Sequence, residues 1–304
     1  MRRRHDSQVK QVEPSASLVL PQHTVSVVVV PDTLLAESPW RQQLERATPP
    51  GLKTFLTFPE SDLHLPTVLL VHGSLDRGAS FSRSLMRLDG HAVITYDRRG
   101  YQGSRGMDLA GGFSAHLDDL LAMAGAANRG AGVIAVGHSF GGVLVQAAAL
   151  HSPELFLAIG AFEPPMPWLG FHRQGGWPPL ATDPGDEAER FFRRMMGDHA
   201  WERMAEGVQQ DRRADGPALL TDLSAIRTLN FDATQLSIPV VYGTGVEKTA
   251  PHHLAAVEWL GTNVPLASVD KITEAGHGAH LSHPDAFARF IALVVAEGSR
   301  GASS

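Results

Sequence analysis

Ser139 sits in the pentapeptide Gly137-His138-Ser139-Phe140-Gly141, between the apolar run Val133-Ile134-Ala135-Val136 and an apolar helical pattern that continues to His151. Two residues without a Cβ flank the serine and permit a turn too tight for ordinary side chains, which would lift the hydroxyl above the edge of a sheet. Far downstream, Glu274-Ala275-Gly276-His277-Gly278-Ala279-His280-Leu281-Ser282-His283-Pro284 offers three imidazoles. A serine hydroxyl is a poor nucleophile near neutral pH. It needs an imidazole to take its proton, a carboxylate to orient that imidazole, and amide donors for the oxyanion. His277 is the favoured base, because it lies nearest the end of the last expected strand and its glycine neighbours leave the loop free to turn the ring inward. His280 is the second candidate. His283, before Pro284 at a helix start, reads as a surface or capping residue.

The elements that must position these groups alternate. Thr67-Val68-Leu69-Leu70-Val71 is continuously apolar, as suits a strand covered on both faces, and it ends in His72-Gly73-Ser74. Strands are also expected at Lys53 to Phe58, His91 to Tyr96, Gly132 to Val136, Leu155 to Phe162, Ile238 to Gly243 and Ala267 to Ile272. Helices are expected at Ser80 to Leu88, Gly112 to Ala127, Phe140 to His151, His252 to Leu260 and Pro284 to Glu297. The order predicts an α/β fold with a mostly parallel central sheet and flanking helices. In such a sheet the useful groups gather just beyond the carboxyl ends of the strands.

From Pro167 to Asp232 the character changes. Trp168, Trp177 and Trp201 fall there with two expected helices, Asp186 to Met196 and Ala200 to Asp211, and the stretch reads as a small helical cap inserted into the core. The expected organisation is an N-terminal arm over residues 1–50, core over 51–166, cap over 167–232, and core with a C-terminal tail over 233–304. Within the arm, Val25 to Val30 reads as an edge strand and the first dozen residues as disordered. No internal repeat is evident.

A chain of 304 residues, 43% hydrophobic and 19% charged, can bury a sizeable core. Its 32 acidic against 26 basic residues give a net charge of −6, and no basic stripe interleaved with aromatics is present, so nucleic acid is not an expected partner. There is no cysteine, which removes disulfides, thiolate metal sites and cysteine nucleophiles together. The start Met1-Arg2-Arg3-Arg4 is like the positive end of a signal peptide, but Pro21, Gln22, His23 and Thr24 interrupt the apolar stretch that follows. No apolar run approaches the roughly 18 to 20 residues of a membrane span. A cytoplasmic protein without membrane partners is the expectation.

Five places together carry a family resemblance: Leu70-Val71-His72-Gly73-Ser74, Tyr96-Asp97-Arg98-Arg99-Gly100-Tyr101 with Gly103-Ser104, Gly137-His138-Ser139-Phe140-Gly141-Gly142, Phe162-Glu163-Pro164-Pro165, and Ala275-Gly276-His277. In that order they resemble the α/β-hydrolase fold family with a serine nucleophile. The resemblance implies two backbone oxyanion donors, from Phe140 after the nucleophile and from Ser74 in the upstream loop. It also implies chemistry without a cofactor or metal.

The acid is where the chain departs from the family's commoner pattern, because Val246 occupies the usual aspartate slot. Glu163 and Glu247 are the substitutes, and some members of the family do place the carboxylate where Glu163 stands. Pro164 and Pro165 would fix the Glu163 strand end rigidly, whereas Glu247 lies in a glycine-containing loop before Lys248. Asp97, Arg98 and Arg99 read as braces for neighbouring loops, and His72 as support for its own loop. His252-His253 reads as a helix start, since adjacent helical residues point about 100° apart and share an ion poorly. Phe171, Trp177, Phe191, Phe192, Met195 and Met196 line either a substrate pocket or the cap's own core.

The function this implies is hydrolysis of a carboxylic ester with an apolar portion, through Ser139, His277 and Glu163 or Glu247. Amidase, lactonase, carbon-carbon hydrolase and perhydrolase chemistries share the fold, and a ligand-binding protein without turnover is the alternative from a different class. Haloalkane dehalogenation is disfavoured because it uses an aspartate nucleophile. The arm is a possible docking or dimerisation segment, and the oligomeric state is open.

Overall fold

Seven strands order as β1-β3-β2-β4-β5-β6-β7, with β1 (Thr54–Thr57) antiparallel to β3 (Val93–Tyr96) and every other pairing parallel. The remaining strands are β2 (Thr67–Val71), β4 (Val133–His138), β5 (Phe156–Phe162), β6 (Val240–Gly245) and β7 (Ala267–Ile272). The computed structural model describes residues 39–57, 64–86, 88, 90–171 and 177–301. Val25 to Val30 and Phe58 lie outside the described residues.

The continuous apolar runs make central strands because both faces of the sheet are covered. Along β2, Leu69 and Val71 point into one core, and Val68 and Leu70 into the other. Along β4, Val133 and Ala135 join the first core while Ile134 and Val136 join the second. This alternation is the two-residue period of a strand placed between two apolar layers. The first layer is formed by helices α1 (Pro39–Ala47), α2 (Phe113–Ala127), α3 (Phe140–His151) and, further along the chain, 251–263. The second is formed chiefly by the closing helix 284–301, through Phe287, Phe290, Ile291 and Val294. Residues 39–50, assigned from sequence to the arm, pack with the core: Trp40 Nε1 donates to the Ala126 carbonyl at 3.0 Å.

Two expected helices differ. Among the described residues Ser80 to Leu88 forms only the end of a 3₁₀ turn over Gly78–Phe81 and one helical turn over Ser82–Leu85, and the Gly78 amide ahead of it donates to the Asp97 carboxylate at 2.8 Å. Among the described residues the inserted stretch holds four α-helices rather than two: α4 (Pro184–Met196), α5 (Asp198–Glu202), α6 (Glu206–Ala214) and α7 (Gly216–Ile226). Expected helix 200–211 breaks near Ala205, whose extended backbone precedes α6, and α7 starts with Pro217 in its first turn, where the missing N–H costs nothing. Helices α8 (Pro251–Asn263) and α9 (Pro284–Gly301) complete the chain. Among the described residues no helix is long and apolar enough to cross a membrane.

Candidate active site

Ser139 joins β4 to α3 with φ 54° and ψ −122°, a conformation unfavourable for any residue with a Cβ and one that throws the side chain clear of both elements. The surrounding backbone holds it there. The Ser139 amide donates to the Phe162 carbonyl at 2.8 Å, and its carbonyl accepts from the Gly142 amide at 2.8 Å. A Cβ on Gly137 would lie 2.1 Å from the Gly141 carbonyl oxygen, and one on Gly141 would lie 2.1 Å from that of Val71. Both glycines are therefore required for strand, turn and helix to approach this closely. A Cβ on Gly73 would come within 2.8 Å of Ser139 Cβ, so the His72-Gly73-Ser74 loop runs directly against the serine. Phe140 opens α3, where the leading amides of a helix have no acceptor within it.

Glu163 follows β5 with φ 44°, its amide donating to the Gly243 carbonyl at 2.8 Å. Its side chain is fully buried and fully occupied. Oε2 accepts from His277 Nδ1 at 2.7 Å, while Oε1 accepts from the Gly245 amide at 2.8 Å, Thr249 Oγ1 at 2.6 Å and Thr244 Oγ1 at 3.1 Å. Burial raises the pKa of this carboxyl, but the His277 hydrogen bond and charge and the Thr249 hydroxyl outweigh it and bring it down to about 2. The ionised carboxylate thus fixes the proton of His277 on Nδ1 and leaves Nε2 as the basic nitrogen. His277 is brought to the serine's neighbour: its carbonyl accepts from His138 Nε2 at 2.7 Å, with ring centroids 4.8 Å apart. Glu247, by contrast, is exposed beyond the end of β6.

A second buried carboxylate, not singled out from sequence, ties the inserted helices to the loop beside Ser139. Asp222 on α7 accepts from Arg98 Nη2 at 2.6 Å, Tyr101 Oη at 2.6 Å and Ser74 Oγ at 2.8 Å. Arg98 in turn donates to the carbonyls of His72 and Gly73, at 3.0 and 3.1 Å. Burial raises the pKa of Asp222, yet the Arg98 charge dominates and holds it well below the ordinary carboxylate range. His72 supports the same loop, as expected, accepting from the Arg98 amide at 2.8 Å through Nε2. Burial, with Arg98 adding to it, lowers its pKa to about 3, so the ring is neutral. Asp97 and Arg99 also brace loops, through the amides of Gly78 and Gly103 and through Asp119.

The other histidines divide. The His283 ring meets its neighbour Ser282, 2.8 Å from Nδ1, and His280 turns away to Asp76, 3.1 Å from its Nε2. His252 and His253 do start α8, but His253 is buried and stacks on His277 with centroids 4.9 Å apart and planes at 23°. Of the apolar residues in the inserted stretch, Phe191 and Phe192 pack on Leu75, Ala188 and Leu219 as local core. Trp177 and Met196 are exposed, and the Met196 sulfur would stand 3.9 Å from a Cβ on Gly278, beside His277. Two surface hollows, of about 580 Å3 along α7 and about 500 Å3 beside Asp76 and Arg212, are lined by neither Ser139 nor His277. The hydrogen-bond geometry, not hollow size, locates the site.

The sequence matches the model of the Alpha/beta hydrolase family over residues 68–290. A search of curated proteins finds no match. Solved structures are similar in fold. A hydrolase from Pseudomonas aeruginosa superposes with a TM-score of 0.62 at 18% identity, covering 80% of this chain and 94% of that one. A thermophilic esterase from Thermogutta terrifontis gives 0.58 at 20% identity, with 81% and 93% covered. An N-formylmaleamic acid deformylase from Pseudomonas putida gives 0.58 at 22% identity, with 80% and 97% covered.

Two outcomes follow from the buried carboxylates. Because the Glu163 pKa is depressed in the folded protein, its contribution to stability is present above the unfolded value of 4.5 and is lost as pH falls toward about 2. Denaturant unfolding across that window is expected to show a loss on the order of 3 kcal/mol for the wild type and a flatter profile for Glu163→Gln. Equal slopes would contradict it. Asp222→Ala leaves the Arg98 guanidinium buried without its counter-charge and is expected to cost about 3 to 5 kcal/mol in the same measurement. A change below about 1 kcal/mol would show that the pair is not holding the fold.

Proposed function

The chain belongs to the alpha/beta hydrolase family, and we propose that it is a serine hydrolase acting on carboxylic esters with an apolar acyl or alcohol portion. The observation that carries this reading is the 2.7 Å bond from His277 Nδ1 to an ionised Glu163, on a ring adjoining the strained turn of Ser139. In the proposed reaction, Ser139 Oγ attacks the ester carbonyl while His277 Nε2 takes its proton. The amides of Phe140 and Ser74 receive the oxyanion. Collapse of the tetrahedral intermediate breaks the ester C–O bond, with His277 returning the proton to the departing alcohol. Water, deprotonated by the same imidazole, then releases the acid and regenerates Ser139.

Amide or other acyl substrates fit the same groups, and the deformylase among the structural neighbours keeps that option open. The alternative of a binding protein without turnover drew its support from Val246 in the usual acid slot. The carboxylate missing there is supplied by Glu163, which weakens that support. Met196, exposed and beside Gly278 next to His277, favours an apolar substrate part.

A fluorophosphonate probe is expected to label the folded protein once, at Ser139, and Ser139→Ala is expected to lower turnover of short p-nitrophenyl esters by roughly 10⁴-fold or more. Absence of labelling in folded wild-type protein, or esterase activity that survives the substitution, would overturn the assignment.

A further inference from the structure

On the opposite side of His138 from the Glu163–His277 pair lies a second cluster that the proposed reaction does not use. Asp76, His138 and His280 bring one carboxylate oxygen and two ring nitrogens within 4.8 Å of one another. His138 is 5% exposed, His280 2% and the Asp76 side chain 13%. The two rings lie against each other, centroids 4.2 Å apart, walled by Phe81, Phe162 and Phe287.

The tautomers follow from the partners. His138 Nε2 faces the His277 carbonyl, which can only accept, so the proton is on Nε2 and the buried Nδ1 presents a bare lone pair. That Nδ1 has no hydrogen-bond partner among the described residues. His280 Nε2 meets Asp76 Oδ2 at 3.1 Å, and its Nδ1 is likewise buried without a partner. An unsatisfied buried acceptor is rare and costly, and His138 Nδ1 is one, beside the Asp76–His280 pair.

We propose that Asp76, His138 and His280 form a binding site for a single divalent transition-metal ion, zinc being the fitting example. Two imidazoles and a carboxylate are a recurrent donor set for such ions. The 3.1 Å between Asp76 Oδ2 and His280 Nε2 is a few tenths of an ångström short of the roughly 3.3 to 3.5 Å that two ligands of one tetrahedral zinc ion keep, so a small opening of the pair admits the ion. In the bound form His280 carries its proton on Nδ1, so that Nε2 and Asp76 Oδ2 both face the ion, and His138 Nδ1 supplies the third bond. The His138 Nε2–H to carbonyl bond is the outer contact that orients a ligating histidine. Since that carbonyl belongs to His277, an ion here anchors the loop carrying the imidazole base without entering its hydrogen bonds to Glu163. The site is independent of the hydrolytic reading, because it rests on residues outside the Ser139, His277 and Glu163 set.

The test uses full-length, chelator-treated protein titrated with zinc by calorimetry and by elemental analysis after desalting. One equivalent is expected to bind, with affinity reduced by more than about tenfold in Asp76→Asn and in His280→Gln. In the unaltered protein, long-range ¹H–¹⁵N imidazole spectra are expected to show His138 and His280 shifting together at one equivalent. This readout stands even if a variant fails to fold. Failure to retain zinc would overturn the proposal, as would binding that survives both substitutions or binding that is lost only in Glu163→Gln. The last result would place the ion at the neighbouring Glu163, His253 and His277 cluster.

Discussion

A fully buried carboxylate at the end of β5 organises the site. Burial alone would neutralise Glu163, and an unpaired buried charge would be strongly destabilising. Four donors prevent this: the Gly245 amide, two threonine hydroxyls and His277 Nδ1. Three of them belong to β6 and the turn after it, so the carboxylate joins two neighbouring strands before it meets the imidazole. With the backbone of Glu163 bonded to Gly243, little freedom is left in where His277 can stand. An imidazole held this way has its proton assigned to Nδ1, which leaves Nε2 without one.

The loop on the other side of Ser139 is positioned by an equally buried arrangement. Arg98 and Asp222 are almost fully inaccessible, and both reach the 72–74 segment, Arg98 through carbonyls and Asp222 through the Ser74 hydroxyl. Asp222 lies on α7, in the inserted stretch. The segment expected to donate an oxyanion amide is thus bonded to the insertion as well as to the sheet. A rearrangement of the insertion that broke the Arg98–Asp222 pair would therefore also disturb the 72–74 segment.

Much of this was legible in the residues. Val133 to Val136 running into Gly137-His138-Ser139-Phe140-Gly141 announced a strand, a strained turn and a helix, and the glycines beside His277 marked a loop that could turn inward. The choice between Glu163 and Glu247 was only partly legible. Pro164 and Pro165 argued for a rigid strand end, but the donors that keep Glu163 ionised lie 81 to 114 residues away, and no local pattern reports them. Asp222 was invisible for the same reason. It sits in an ordinary helical pattern, and its partners Arg98 and Ser74 are 124 and 148 residues distant. The Gly216-Pro217 pair was a readable helix start that an expected single helix over 200–211 obscured. His253 was discounted on helix geometry that sends adjacent side chains apart, yet the rings of His252 and His253 lie with centroids 4.3 Å apart and His253 stacks on His277 from a different element.

The central claim is that Glu163, and not Glu247, orients the imidazole that serves Ser139. Proton NMR of the far-downfield region reports a histidine Nδ1–H engaged with a buried carboxylate directly. A resonance assigned to His277 Nδ1–H is expected in the wild type and in Glu247→Gln, and its loss or strong upfield movement is expected in folded Glu163→Gln, with the His280 Nε2–H signal beside Asp76 unchanged. A resonance unchanged in Glu163→Gln, or abolished in Glu247→Gln, would contradict the account.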